Sequence, residues 1–141
     1  MAGFRIAPQQ TIAFPKQKPA KSKDYLAFIH ELPCAVSGKS PVEAAHLSFP
    51  APKYGHYGRG RGSKAPDRWA LPLHADEHRR QHSGNEEAFW KAAGINPHVL
   101  ALTIHGLFSD MGEDAVLFAT AVINQTRINA QRGFSRSRSE A

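Results

Sequence analysis

Apolar residues recur at helical spacing over Asp24–Leu32, where Tyr25, Leu26, Phe28, Ile29 and Leu32 share one side of a helix. Asp24 is placed to cap it and Pro33 to stop it. Cys34 to Ser40 reads as a strand and turn, and Val42 to Leu47 as a second extended piece. Ser48 to Asp67 is rich in glycine, proline and cations with no period, and is expected to be loop. Arg68-Trp-Ala-Leu-Pro-Leu73 offers an apolar strand whose end Pro72 marks. His74 to His82 is polar but suited to a helix, with Asp76 and Glu77 favourably placed in its first turn. Asn85 to Ala93 predicts a further helix, capped by Asn85 and closed by Gly94, and Asn96-Pro97 opens another. The longest helical pattern runs from Asp114 to Ala130, through Val116, Leu117, Ala119, Ala121, Val122 and Ile123. No internal repeat is present.

Two tails flank this pattern. In residues 1–23, Pro8, Pro15 and Pro19 interrupt any period and Lys16, Lys18, Lys21 and Lys23 form a basic run, so a flexible basic arm is expected. Residues 133–141 read as a short polar tail, leaving one domain over residues 24–132 of the 141. A domain of this size often draws on a metal for stability, which gives the histidines added interest. The net charge of +6 and a pI near 9.8 point to an anionic partner, of which nucleic acid is the commonest. Cys34 is the only cysteine, so no disulfide forms within the chain, consistent with a reducing interior. Phe4, Ile6, Ile12 and Phe14 are scattered rather than gathered into a leader, and no apolar run approaches a membrane span. The expectation is a cytoplasmic protein with no membrane partner.

Strand, loop, strand and helix follow one another across residues 42–82, and three histidines fall on them. His78 and His82, in His78-Arg-Arg-Gln-His82, stand four apart, which on a helix puts both on one face and within reach of a single ion. No glutamate follows His78, so the HExxH chemistry of zinc proteases is excluded. Taken alone, such a pair is more often two exposed polar side chains. His46 ends the apolar stretch Val42-Glu-Ala-Ala-His-Leu47, and by itself would be a satisfied core histidine. Together the three suggest phosphodiester hydrolysis. A neutral imidazole takes the proton of an attacking water, and a cation stabilises charge on phosphate and leaving oxygen. The expectation is that His46 faces the His78/His82 pair across a gap sized for a water and a phosphate.

The order Ala45-His46-Leu47, Gly58-Arg-Gly-Arg-Gly-Ser-Lys-Ala-Pro-Asp67, Leu71-Pro-Leu-His74, His78, His82 and Phe89-Trp90 resembles phage recombination-enhancement nucleases, within a broader HNH-like (ββα-metal, His-Me finger) phage and prophage family. The likeness covers roughly residues 32–92. It implies an α+β fold: a ββα-metal finger over about residues 42–82, embedded in a small, mainly helical domain with basic tails. It further implies metal-dependent DNA cleavage, in some members together with a recombinase filament, in a bacterial or phage-infected cell. Position by position, His46 matches the catalytic histidine, His78 and His82 the helix histidines around the metal, and Asp67 a residue that holds the finger or orients the base. The ion is one divalent metal, Mg²⁺, Mn²⁺ or Zn²⁺. Relatives often carry paired Cys-x-x-Cys knuckles, where this chain has Cys34-x-x-Ser37 and His74-x-x-Glu77. Cys34 and His74 are competent zinc ligands and Ser37 a poor one, so a structural Zn²⁺ is expected to be lost or weakened, with His74 instead starting the helix.

Between the proposed base and the metal helix, residues 53–64 interleave cations, aromatics and glycines. Lys53, Arg59, Arg61 and Lys64 are placed to neutralise phosphates, as is Arg79 next to His78, while Tyr54, His56 or Tyr57 is positioned to stack on a base. Phosphate contacts position a duplex without specifying it, so little sequence preference is expected. His30, His98 and His105 fall outside the finger and are assigned structural work. Two readings go forward. The first is an endonuclease with His46 as base; the second, a non-catalytic DNA-binding recombination accessory. Cleavage of RNA is a third and weaker option.

Overall fold

Helix α1, Pro19–His30, turns Tyr25, Phe28 and Ile29 inward, and Leu32 follows them into the core just past its end. The computed structural model describes residues 19–58 and 65–140, apart from the side chains of 19–22 and 134–140. Of the expected basic arm, residues 1–18 lie outside that range, and residues 19–23 belong to α1. The helix therefore begins five residues before Asp24, which sits inside it rather than at its cap. A proline at the first helical position surrenders only an N–H that would have had no partner there, so Pro19 opens the helix instead of blocking it.

Of the strand and turn expected over residues 34–40, the turn is present and the strand is not. Cys34 N donates to Lys39 O and Gly38 N to Cys34 O, at 3.0 and 2.9 Å. Gly38 adopts φ +77°, a left-handed conformation that favours glycine, and the Arg127 guanidinium lies against the face where a Cβ would stand. Strand β1, Glu43–His46, pairs antiparallel with β2, Ala70–Leu73, in the register Glu43↔Leu73 to His46↔Ala70. Leu47 N donates to Trp69 O at 3.0 Å, carrying the ladder one step beyond the strands. Pro72 lies within β2 rather than ending it. In a two-stranded sheet its missing N–H falls on an edge, and its carbonyl accepts from Ala35 N at 2.9 Å.

The connection between the strands is more ordered than its composition suggests. Pro52–Tyr54 makes a 3-10 turn closed by Gly55, and Ala51 bridges His56. A second such turn, Asp67–Trp69, feeds β2. Helix α2, Ala75–His82, follows at once, capped by His74, whose Nδ1 accepts from Asp76 N at 3.3 Å. Helices α3 (Glu86–Ala93) and α4 (Pro97–Asp110) are capped by Asn85 and Asn96, and Gly94 closes α3 in the left-handed conformation. Helix α5 runs Ala115–Glu140, so the polar tail expected from residue 133 is helical as far as 140. Serine, arginine and glutamate carry no helix breaker, and the one interior glycine there, Gly133, costs only about 1 kcal/mol.

The result is a small mixed α+β domain, mostly helical, with a two-stranded sheet. One core unites the inner faces of α1, β1, β2, α3, α4 and α5, with Trp69, Trp90, Leu71, Ile104 and Ile123 among its fully buried members. Among the described residues, no helix is long and apolar enough to cross a membrane.

Candidate functional site

His46 stands at the end of β1, and Asp67 opens the turn that leads into the facing strand. The antiparallel register that pairs His46 with Ala70 therefore brings them together: His46 Nε2–H donates to Asp67 Oδ1 at 2.8 Å. Both remain reachable, with side-chain exposures of 15% and 28%. With its Nε2 proton fixed on the carboxylate, the ring offers Nδ1 as the nitrogen able to accept another proton. Tyr25 lies nearby in the core. Its phenol is held well above the usual range, first by burial and then by the negative charge of Asp67.

A second pair forms on α2. His78 and His82, one turn apart, bring their Nε2 atoms to 3.1 Å. Behind them Glu43, at the start of β1, accepts from His78 Nδ1–H at 2.7 Å. That bond leaves the His78 Nε2 lone pair free, so the proton between the two rings belongs to His82. Two imidazole nitrogens bound to one ion stand about 3 to 3.4 Å apart, so the spacing fits a pair of metal ligands, His78 through the Nε2 lone pair and His82 through Nε2 once its proton sits on Nδ1. A carboxylate on the far nitrogen is the usual support for a ligating histidine. The open hollow here, about 530 Å³, is lined by Glu43, Ala75, His78, Arg79, His82 and Ser83.

The three imidazoles thus fall into two separate pairs, His46 with Asp67 and His78 with His82. No hydrogen bond joins them, and among the described residues no group of three or more His, Cys, Asp or Glu side chains gathers to hold a metal. Alternation along β1 sends Glu43 and His46 to opposite faces. One carboxylate ties the pairs together from below. Glu86 accepts from Ser48 N at 3.0 Å and from Gln81 Nε2 at 3.1 Å. It thereby holds the chain two residues past His46 against the residue preceding His82.

Residues 5–109 match the family described as Protein of unknown function (DUF968). The chain belongs to the DUF968 family. No curated protein and no solved structure matches it. The matched stretch of this DUF968 chain takes in His46, Asp67, His78, His82, Glu43 and Glu86.

The remaining expected site residues are dispersed. Cys34 is buried, and its sulfur accepts from Ser37 N at 3.3 Å, while the His74 ring is occupied in capping α2. Arg79 is paired with Asp76 and Arg80 with Glu77. Lys53 lies over the Tyr54 ring at 5.2 Å. Arg59, Arg61 and Lys64 lie outside the described residues. His56 corrects an expectation: it is 1% exposed and cannot stack on a base. Its Nε2–H donates to Leu47 O and its Nδ1 accepts from Gly58 N, both at 3.0 Å, so it pins the loop beneath β1. Glu43 and Glu86 escaped sequence reasoning because their partners lie 35 and 38 residues away; their only local signal is a charge beside an apolar strand or in a helix's first turn.

His98 is also buried, donating from Nε2–H to Phe49 O at 3.1 Å. Burial, and secondarily His56, pull its pKa below the ordinary 6.5. His105 shifts the same way, through burial and then Arg68. A histidine that resists protonation only while folded adds stability above its unfolded pKa, and that stability is lost as pH falls below it. The melting temperature is therefore expected to drop between pH 7.5 and pH 5.5. In His98→Gln the drop should be smaller, as read by differential scanning fluorimetry at both pH values; an equal drop in the variant would exclude His98 as its source.

Proposed function

We propose that this chain is a metal-dependent DNA endonuclease of the HNH type, with a ββα-metal finger over residues 42–82 and little sequence preference. The observation that carries the reading is the 3.1 Å approach of His78 Nε2 to His82 Nε2 with Glu43 behind, on the same strand–loop–strand–helix unit that presents His46 to Asp67. A divalent ion on His78 and His82 would polarise a phosphate oxygen and steady the departing alkoxide. His46 takes the proton of the attacking water on Nδ1. Asp67 fixes the ring's tautomer and stabilises the imidazolium that follows. Glu43 orients His78. Lys53 and the basic residues of the connecting loop hold phosphates on either side of the scissile bond. Likeness to recombination-enhancement nucleases adds a recombinase filament as the setting in which the DNA is met.

The separation of the two pairs favours one competing reading, a DNA-binding accessory without catalysis. Metal titration of the full chain by calorimetry, beside cleavage of single- and double-stranded DNA, separates them. The expected result is one Mn²⁺ or Zn²⁺ per chain, lost in His78→Ala. In Glu43→Gln, affinity should fall about 10- to 100-fold, the usual cost of removing a carboxylate that supports a ligating histidine. DNA binding without metal uptake, and without cleavage in Mg²⁺, Mn²⁺ or Zn²⁺, would establish the accessory.

A further inference from the structure

A second concavity, about 420 Å³, opens three residues beyond His46, where Phe49 leaves the sheet and packs toward α3 and α4. Its volume is that of an ordinary small-ligand site. The walls are flat and aromatic: Phe49, Tyr54, Trp90 and His98. They are also held in place. His98 donates to Phe49 O and meets the Phe49 ring edge-on at 4.8 Å and 82°. Tyr54 lies nearly parallel to His98, at 15° and 6.2 Å, with its hydroxyl accepting from Asn96 Nδ2 at 3.3 Å. Asn96 in turn is fixed as the cap of α4. Trp90 is 1% exposed, and its indole N–H has no partner among the described residues. A buried indole N–H ordinarily finds one. Charge completes the picture. Lys91 lines the hollow, Lys53 lies over the Tyr54 ring, and Glu87 lies one turn before Lys91 on α3.

Half-buried aromatic rings beside an ammonium group, with a carboxylate able to accept from an exocyclic amine, are the complement of one nucleotide. We propose that this hollow is a nucleotide subsite, taking one unstacked base against the half-buried rings of Tyr54 and Phe49, with Trp90 and His98 buried behind them, and its phosphate on Lys91. The inference rests on the reading that the protein acts on nucleic acid, and gives that reading a substrate class: a strand with a base out of the stack. Glu86, which opens α3 and accepts from Ser48 N, ties the helix that carries Glu87, Trp90 and Lys91 to the chain two residues past His46.

The test uses the full chain in EDTA, where no metal-dependent cleavage occurs. The indole N–H resonance of Trp90, identified by its loss in Trp90→Phe, is followed by nuclear magnetic resonance during titration with dAMP, a single-stranded oligonucleotide, and a duplex of the same sequence. The expected result is a saturable shift with dAMP and the single strand, and a weaker or absent one with the duplex. A duplex response equal to the single strand would mean the protein extrudes the base itself, which also supports the subsite. Tyr54→Ala should weaken single-strand binding roughly 5- to 100-fold, the range for losing one stacking partner. Lys91→Ala, a change at an exposed position, should weaken it with a shallower salt dependence. Binding that leaves the Trp90 resonance unmoved, or is indifferent to both variants, overturns the subsite while the endonuclease reading stands. A Trp90 shift in a protein that cleaves nothing with any metal keeps the subsite and sinks the endonuclease.

Discussion

His46→Ala is expected to lower metal-dependent DNA cleavage by about 10²- to 10⁴-fold, the range for removing a general base, while DNA affinity and melting temperature stay close to wild type. The His46 side chain bonds to Asp67, whose carboxylate is itself 28% exposed, so loss of the ring leaves an anion that water can reach. The structural cost is therefore small. Among the described residues His46 does not gather with His78 and His82 into one metal-holding group, so metal uptake should survive the change. Asp67→Asn provides the control, because its amide can still hold the ring but carries no charge to stabilise an imidazolium. It should fall between wild type and His46→Ala, as measured by initial rates on supercoiled and single-stranded DNA at a fixed metal concentration. Full activity in His46→Ala would remove the base from this residue. Equal loss of cleavage and of metal would instead make His46 a ligand.

Local chemistry made much of this molecule legible in its sequence. The Asn85 and Asn96 caps and the Gly94 stop lie where their side-chain and backbone preferences put them, because each acts on residues within three or four positions. The four-residue spacing of His78 and His82 translated into adjacent nitrogens for the same reason. Errors came where a distant partner overruled a local preference. Pro72 looked like a strand end, but a two-stranded sheet has a free edge to receive it, and Ala35 from the turn after α1 covers its carbonyl. His56 looked like an exposed aromatic in a glycine-rich loop, yet Leu47 O and Trp69 draw it into the core. The same long reach hid Glu43, which has no meaning in its own strand until α2 brings His78 to it. Periodicity says which face a residue occupies. It does not say which residue from elsewhere that face will meet.

Trp69→Ala should cost about 3–5 kcal/mol of folding stability, the range for truncating a large buried aromatic. Small domains hold only about 5–15 kcal/mol in all, so the variant should unfold at much lower urea or be partly unfolded without it. Trp69 is 1% exposed and packs its indole on His56 at 4.8 Å and His98 at 5.4 Å, with the Arg68 guanidinium 5.7 Å from the ring. Its backbone closes the turn from Pro66 and accepts from Leu47 N, so the residue joins β1, β2 and the connecting loop at one point. That junction is what sets Asp67 opposite His46 and backs the aromatic hollow with His98. Trp69→Phe, which keeps most of the apolar volume, should lose far less stability and retain both features. Urea unfolding followed by far-ultraviolet circular dichroism gives the comparison, with the unfolding slope reporting whether the native state stays compact. A loss under about 1 kcal/mol in Trp69→Ala would show that the turn before β2 is held from elsewhere, and the placement of Asp67 would then need another support.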